Sequence, residues 1–219
     1  MDKSRDKGGL IVAGLAAIFL LATASAFAQS SDVKSIGQPG GNPIAGREKS
    51  QLCQGCHGEH GFSADGLIPN LAGQLAPYIT KQILNYQAGT RTHPIMSGMA
   101  ATVKDSDLAD VSAYFASQST MKGDGSGDNP LGKNLFLKGD PAKRRLGCAN
   151  CHGMTGKGKG SNIQMFPVLG GQQKEYLRKQ LMDFRDGART NSPSGIMNTV
   201  TSSLTDAEID ALVEYISGQ

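Results

Sequence analysis

Cys53-Gln54-Gly55-Cys56-His57 is the stretch on which the reading of this chain turns, and it returns as Cys148-Ala149-Asn150-Cys151-His152. Both follow the pattern C-x-x-C-H, the attachment signature of a c-type haem. The spacing has a chemical reason. Two thiols three positions apart add to the two vinyl groups of one porphyrin, and the adjoining histidine lies beneath the iron as its proximal ligand. The two motifs use all four cysteines of the chain, leaving none for a disulfide or a nucleophile. A four-cysteine zinc site would bring two knuckles together from nearby positions. Here the motifs stand 95 residues apart, each in its own similar context. A thioredoxin-like dithiol belongs at a strand-to-helix junction, and no strand pattern flanks either motif. The expectation is two covalently bound haem c groups, held by Cys53, Cys56, Cys148 and Cys151, with His57 and His152 as axial ligands.

The similar context is an internal repeat. Pro69-Asn70-Leu71-Ala72-Gly73-Gln74 aligns with Pro167-Val168-Leu169-Gly170-Gly171-Gln172. Tyr78, Lys81, Gln82, Gly89, Arg91 and Thr92 return as Tyr176, Lys179, Gln180, Gly187, Arg189 and Thr190, all at an offset of 98. Ile95-Met96 returns as Ile196-Met197 at an offset of 101. So many identities in register mark a tandem duplication. Amphipathic helices fall at matching places: Ile79, Ile83 and Tyr86 against Leu177, Leu181 and Phe184, then Leu108, Val111 and Phe115 against Ile209, Leu212 and Ile216. Thr205-Asp206-Ala207-Glu208 reads as a capping box for the last helix, whereas Lys104 stands at the equivalent cap position of the first copy. Gln118 to Asn129, rich in Ser, Gly and Asp, reads as the linker. The second copy also carries an insertion. Gly46 lies seven residues before Cys53, but its counterpart Gly132 lies sixteen before Cys148. The extra residues around Lys138 to Gly147 include Lys143, Arg144 and Arg145 and read either as a solvated basic loop or as a docking site for a partner.

A haem with one histidine ligand needs a second donor or stays open to small molecules. The chain has four histidines, and only His60 and His93 fall outside the motifs. His60 is too close to His57 to reach the opposite haem face, and the second copy has no spare histidine. Methionine is the soft alternative, and it raises the potential of the iron. Met96 and Met197 hold equivalent repeat positions and are the expected sixth ligands, with Met99 and His93 as competitors at the first iron. Met154 is too near His152, and Met182 lies within a helix pattern. A ligand imidazole needs an acceptor on its other nitrogen, for which the carbonyls of Pro69 and Pro167 are candidates. Arg91 and Arg189 read either as partners of the haem propionates or as ordinary surface arginines.

At the start of the chain, Lys3, Arg5 and Lys7 precede an uncharged apolar run from Gly9 to Leu21, and Ala26-Phe27-Ala28 fits a cleavage site before Gln29. The expectation is a cleaved signal peptide over 1–28 and a periplasmic protein; retained, the same run would be an anchor. Residues 29–43 read as a flexible leader, 44–117 as the first domain, 118–129 as the linker and 130–219 as the second domain. Beyond the signal the first half carries six basic and seven acidic residues, the second thirteen and ten. That asymmetry suits an oriented encounter with a charged protein. It is too weak for nucleic acid, and no aromatic-basic patch accompanies it.

Tandem C-x-x-C-H domains behind a signal peptide, L-[AG]-G-Q, Y-x-x-K-Q, G-x-R-T and a methionine before the last helix together resemble the dihaem cytochrome c4 family over essentially all of the chain beyond the signal. The resemblance implies an all-α fold of two class I cytochrome c domains related by approximate two-fold symmetry, with the haems approaching each other across the interface. It implies an electron carrier rather than an enzyme. The implied partners are redox proteins, a membrane-bound donor complex and a haem-copper terminal oxidase, and peripheral contact with the membrane is compatible with it. A second reading, the cytochrome subunit of a flavoprotein dehydrogenase such as a sulfide dehydrogenase, shares the same motifs. A dihaem enzyme would need an open iron or an unusual ligand, and the chain offers no free cysteine and almost no free histidine for one.

Overall fold

The computed structural model describes residues 40–158 and 166–219. The expected signal peptide, and the expected leader as far as residue 39, lie outside the described residues. Helix α1 (Pro43–Lys49) starts one residue inside the stretch expected to be leader. The Asn42 side chain accepts from the N–H groups of Ile44 and Ala45, and Pro43 fits the first turn, where no N–H is needed. Asn129 and Pro130 repeat this start for α6 (Pro130–Lys138). Ser50 separates α1 from α2 (Gln51–His57), so the helical run into the first motif has a joint in it.

The first half continues through α3 (Ala76–Gln87), α4 (Met96–Ala101) and α5 (Asp105–Ala116). The second runs through α7 (Ala149–His152), α8 (Lys174–Arg185), α9 (Ile196–Thr201) and α10 (Asp206–Ser217). Ile79, Ile83 and Tyr86 meet Leu108, Val111 and Phe115 in one core. Leu177 meets Ile209, Leu212 and Ile216 in the other, with Leu181 at its edge; Phe184 is buried as well, but under the Arg189 guanidinium rather than in that cluster. These are the positions that the helical spacing selects, because only residues three or four apart share a helix face. In each half the first helix crosses the last at a glycine. A methyl group at Gly46 would overlap the backbone oxygen of Asp110, and one at Gly132 that of Ala211. The close crossing therefore requires the missing side chain. The capping box on α10 is formed, with Thr205 and Glu208 satisfying each other's backbone N–H.

The stretch expected to be a linker is fastened at both ends. Met121 is fully buried against Ala72 of the first half and Val168 of the second. Gly123 and Gly125 donate to the backbone oxygens of Gln219 and Gly218. A lone methionine in a polar segment carries no periodicity, so its burial was invisible until both halves were in place.

The inserted stretch is neither a solvated basic loop nor a row of free charges. Gly139–Asp140 and Arg145–Leu146 pair as a short antiparallel hairpin, β1 and β2, around a 3₁₀ turn at Pro141–Lys143. The Arg145 side chain is 6% exposed and its guanidinium sits 2.7 Å from Glu208 on α10. Lys143 reaches the same carboxylate at 3.1 Å, and Asp140 lies within 3.7 Å of both cations. Arg144, at the tip and in a left-handed conformation, makes no ion pair among the described residues. Glu208, the partner of both Lys143 and Arg145, sits more than sixty positions away in the chain, which is why the run of basic residues looked solvated. Arg145 holds the Glu208 carboxyl well below its ordinary 4.5, at about 2. A carboxyl lowered on folding stabilises fully above its unfolded pKa and loses that contribution as pH falls toward the folded one. Glu208→Gln should thus lower stability at neutral pH and flatten its decline between pH 4.5 and about 2, as read from denaturation midpoints across pH. Parallel pH curves for variant and parent would remove this ion pair from the account of the hairpin.

Candidate haem sites

Helix α2 carries Cys53, Cys56 and His57, and α7 carries Cys151 and His152 with Cys148 at its cap. Both helices end at a glycine with positive φ, 83° at Gly58 and 81° at Gly153. A residue with a Cβ is strained there. Beyond the turn, Pro69 in one half and Pro167 in the other stand beside the histidine. His57 donates from Nδ1 to the Pro69 carbonyl at 2.9 Å, and His152 to that of Pro167 at 2.9 Å. Only a protonated nitrogen can bond a carbonyl, so Nδ1 holds the proton and Nε2 keeps its lone pair. Burial lowers the pKa of both imidazoles and keeps them neutral, the form that ligates a metal. Burial also pushes the Cys148 thiol up to about 11, and a thioether link would abolish that ionisation.

The two motifs open onto shared space. A cavity of about 300 Å³ is lined by Cys53, Cys56 and His57 from one half and by His152 from the other, with Met96, Met99 and Met197 in its wall. A smaller one of about 70 Å³ lies against Cys148, Cys151, His152 and Met197. Met96 opens α4 and packs against the first core, as Cys53 does. Met99 follows it within the same helix. Met197 lies in the first turn of α9. His93 lines the large cavity, but its Nδ1 accepts from the N–H of Ile95 and Met96 at 3.3 Å. His60 is on the surface against Gln118. Met154 is exposed, and Met182 lies at the edge of the second core with its sulfur 3.0 Å from Arg178. Paired thiols, an imidazole with a free Nε2 and a thioether in an apolar wall fit a covalent haem in each half.

Arg91 and Arg189 are not surface arginines; they are 8% and 7% exposed. Arg91 donates to Gln82 in its own half and to Tyr176 and Gln180 in the other. Arg189 donates to Gln180 in its own half and to Tyr78 and Gln82 across the seam. Each guanidinium also lies over an aromatic ring, Tyr86 at 4.7 Å and Phe184 at 4.4 Å. Among the described residues neither has a carboxylate within ion-pair distance. Two buried cations at the wall of the cavity fit a cofactor that brings carboxylates of its own.

The residues that sequence reasoning left without a role are Gln74, Gln172 and Asn70. Gln74 exchanges two hydrogen bonds with the backbone of Val168, both at 2.9 Å. Gln172 does the same with Asn70, at 2.8 and 2.9 Å. Val168 and Asn70 are themselves repeat equivalents, so the exchange has two-fold symmetry. The signal was present: residues repeated in both halves without an apolar or haem-binding reason are those that a two-fold interface uses twice.

A cytochrome c family model matches residues 131–219. Cytochrome c4 of Pseudomonas aeruginosa is 40% identical over 182 residues, 81% of this chain and 89% of that protein. A protein of Stutzerimonas stutzeri described as a thiosulfate dehydrogenase electron acceptor is 34% identical over 213 residues, 94% of this chain and 93% of that one. Among solved structures, reduced recombinant cytochrome c4 from Pseudomonas stutzeri matches with a TM-score of 0.74 at 37% identity, over 81% of this chain and 98% of that chain.

Gln74→Ala would leave the N–H and carbonyl of Val168 unpaired in a buried seam. A loss of about 1–3 kcal/mol in unfolding free energy is expected, and a similar loss for Gln172→Ala, both read by denaturant titration. If both losses stay under about 0.5 kcal/mol, the lower end of what an ordinary hydrogen bond contributes, the seam is held by its apolar contacts instead.

Proposed function

We propose that this chain, which belongs to the dihaem cytochrome c4 family, works in the periplasm as a carrier of single electrons between respiratory proteins. Electron transfer by a c-type cytochrome with covalent haem, and no catalysis of its own, comes with the family. The location follows from the signal peptide read over 1–28, with the mature chain starting at Gln29. Residues 44–117 and 130–219 are proposed as the two haem domains and 118–129 as their connection.

One observation carries the reading: both imidazoles are fixed by a proline carbonyl and open, with Met96 and Met197, onto one cavity shared by the two halves. Haem iron supplies a one-electron couple at each site. Cys53 and Cys56, and Cys148 and Cys151, are the tethers. His57 with Met96, and His152 with Met197, would hold the irons of the two haems. Met96 is preferred to Met99 because it shares the repeat position of Met197 and packs with Cys53 on the core. The carbonyls of Pro69 and Pro167 hold the rings in one tautomer, so no proton needs to move at the ligand when the electron arrives. Arg91 and Arg189 would neutralise the propionates of the bound haems. With a histidine and a methionine holding each haem, neither site would stay open to a substrate.

A terminal oxidase is the proposed acceptor. A second partner reading has a specific support: a relative covering 94% of the chain is described as the electron acceptor of thiosulfate dehydrogenase. In that reading the chain takes its electrons from a dehydrogenase that oxidises a sulfur compound. Rates of reduction by such an enzyme and of oxidation by oxidase-containing membranes separate the two ends of the path.

The ligand assignments are tested by substitution. Met197→Ala should remove about half of the weak far-red band that methionine gives on ferric haem, since one of two equivalent sites is lost. That site should bind carbon monoxide and drop in potential while the other stays closed. Met96→Ala should do the same in the first half. If Met99→Ala, and not Met96→Ala, takes half of the band, Met99 is the ligand there. If neither Met96→Ala nor Met197→Ala changes the spectrum, the carrier reading with two closed sites fails.

A further inference from the structure

The two halves repeat each other at the polar wall of the shared cavity. The offset of 98 sets Tyr78 against Tyr176, Lys81 against Lys179, Gln82 against Gln180 and Arg91 against Arg189. The same offset sets Asn85 against Asp183 and His93 against Asn191. Among these pairs formal charge differs only where Asn85 faces Asp183.

The difference changes what the lysines do. Lys179 donates to both carboxylate oxygens of Asp183, at 2.9 and 2.7 Å, and is half-exposed. Lys81 is more sheltered and donates to the side-chain oxygen of Asn85 at 2.8 Å and to the backbone oxygen of Asn191 at 2.5 Å. Neither acceptor carries a charge, and no carboxylate among the described residues lies within ion-pair distance of Lys81. Asn191 also donates to the Asn85 oxygen at 2.7 Å, which locks that acceptor in place. Arg91 and Arg189 are matched across the seam and cancel in the comparison. The Lys179–Asp183 pair acts at a distance as a dipole, while Lys81 acts as a full charge, so their fields differ most at range. Burial and the neighbouring Arg189 and Arg91 lower the pKa of Lys81, as expected for a sheltered cation beside other cations.

We infer that Lys81, left unpaired by Asn85 while Lys179 is neutralised by Asp183, is a positioning charge that sets apart the reduction potentials of the two haems. A cation near one site favours its reduced form over that of the other. An electron shared between the halves then rests preferentially on one of them. The inference depends on the electron-carrier reading above, though not on either methionine assignment.

Asn85→Asp and Asp183→Asn are near-isosteric and keep every acceptor that the lysines use. Redox titration of the full holoprotein, followed by its visible spectrum, reads both midpoint potentials. Asn85→Asp should lower the mean potential, and Asp183→Asn should raise it. Each exchange equalises the seam, so both should move the separation between the potentials in the same sense. The double exchange should move it roughly twice as far, as independent charges add. Lys81→Gln should reproduce Asn85→Asp and serves where that variant is unstable. Unchanged separation in all variants, or single exchanges that move it in opposite senses, would overturn the inference. The Soret and far-red bands of each variant report haem occupancy and ligation separately, so failure of the carrier reading is distinguishable from failure of this one.

Discussion

A buried imidazole can present a lone pair in a fixed direction only if its other nitrogen is tied down. In this chain that tie is a backbone carbonyl at 2.9 Å, once from Pro69 and once from Pro167. Much of the surrounding architecture serves it. Gly58 and Gly153 turn the chain out of its helix at an angle open to glycine. Beyond each, Pro69 or Pro167 places a carbonyl, and Gly61 and Gly156 accept backbone N–H groups from the residues that follow. The following glutamine, Gln74 or Gln172, then bonds the other half. The segment that orients each motif histidine is therefore the segment that joins the halves.

That economy makes the seam polar. Paired glutamines, tyrosines and arginines cross it in both directions, and Met121 from the connecting segment is buried with Ala72 and Val168 from the two sides. Buried polar groups are tolerated only when their partners are present, so such a seam has one register. Rigid placement suits an electron carrier, in which the distance between the two centres has to survive the change of charge.

Departures from two-fold symmetry are where the halves acquire separate properties. The inserted hairpin before Cys148 is bound to α10 through Glu208, with Arg145 inside and Leu146 turned outward, 63% exposed, at the edge of the second site. The first half has no such element. At the seam, an aspartate on one side and an asparagine on the other give one lysine a carboxylate partner and the other a neutral amide oxygen.

Local chemistry determined what the sequence by itself decided. Two C-x-x-C-H motifs fix the cofactor class, because the thiol spacing is a covalent fact. Helical periodicity selected the core of both halves, since burial on one face needs only local geometry. The repeat register singled out Met96 and Met197 as an equivalent pair. Tertiary structure alone decided the rest. The destination of Arg91 and Arg189, the reciprocal bonds of Gln74 and Gln172, the burial of Met121 and the neutralisation of Arg145 all depend on partners about fifty to a hundred positions away. Hydrogen bonds and ion pairs are read from distance in space, and no local pattern encodes that distance until the two copies have packed.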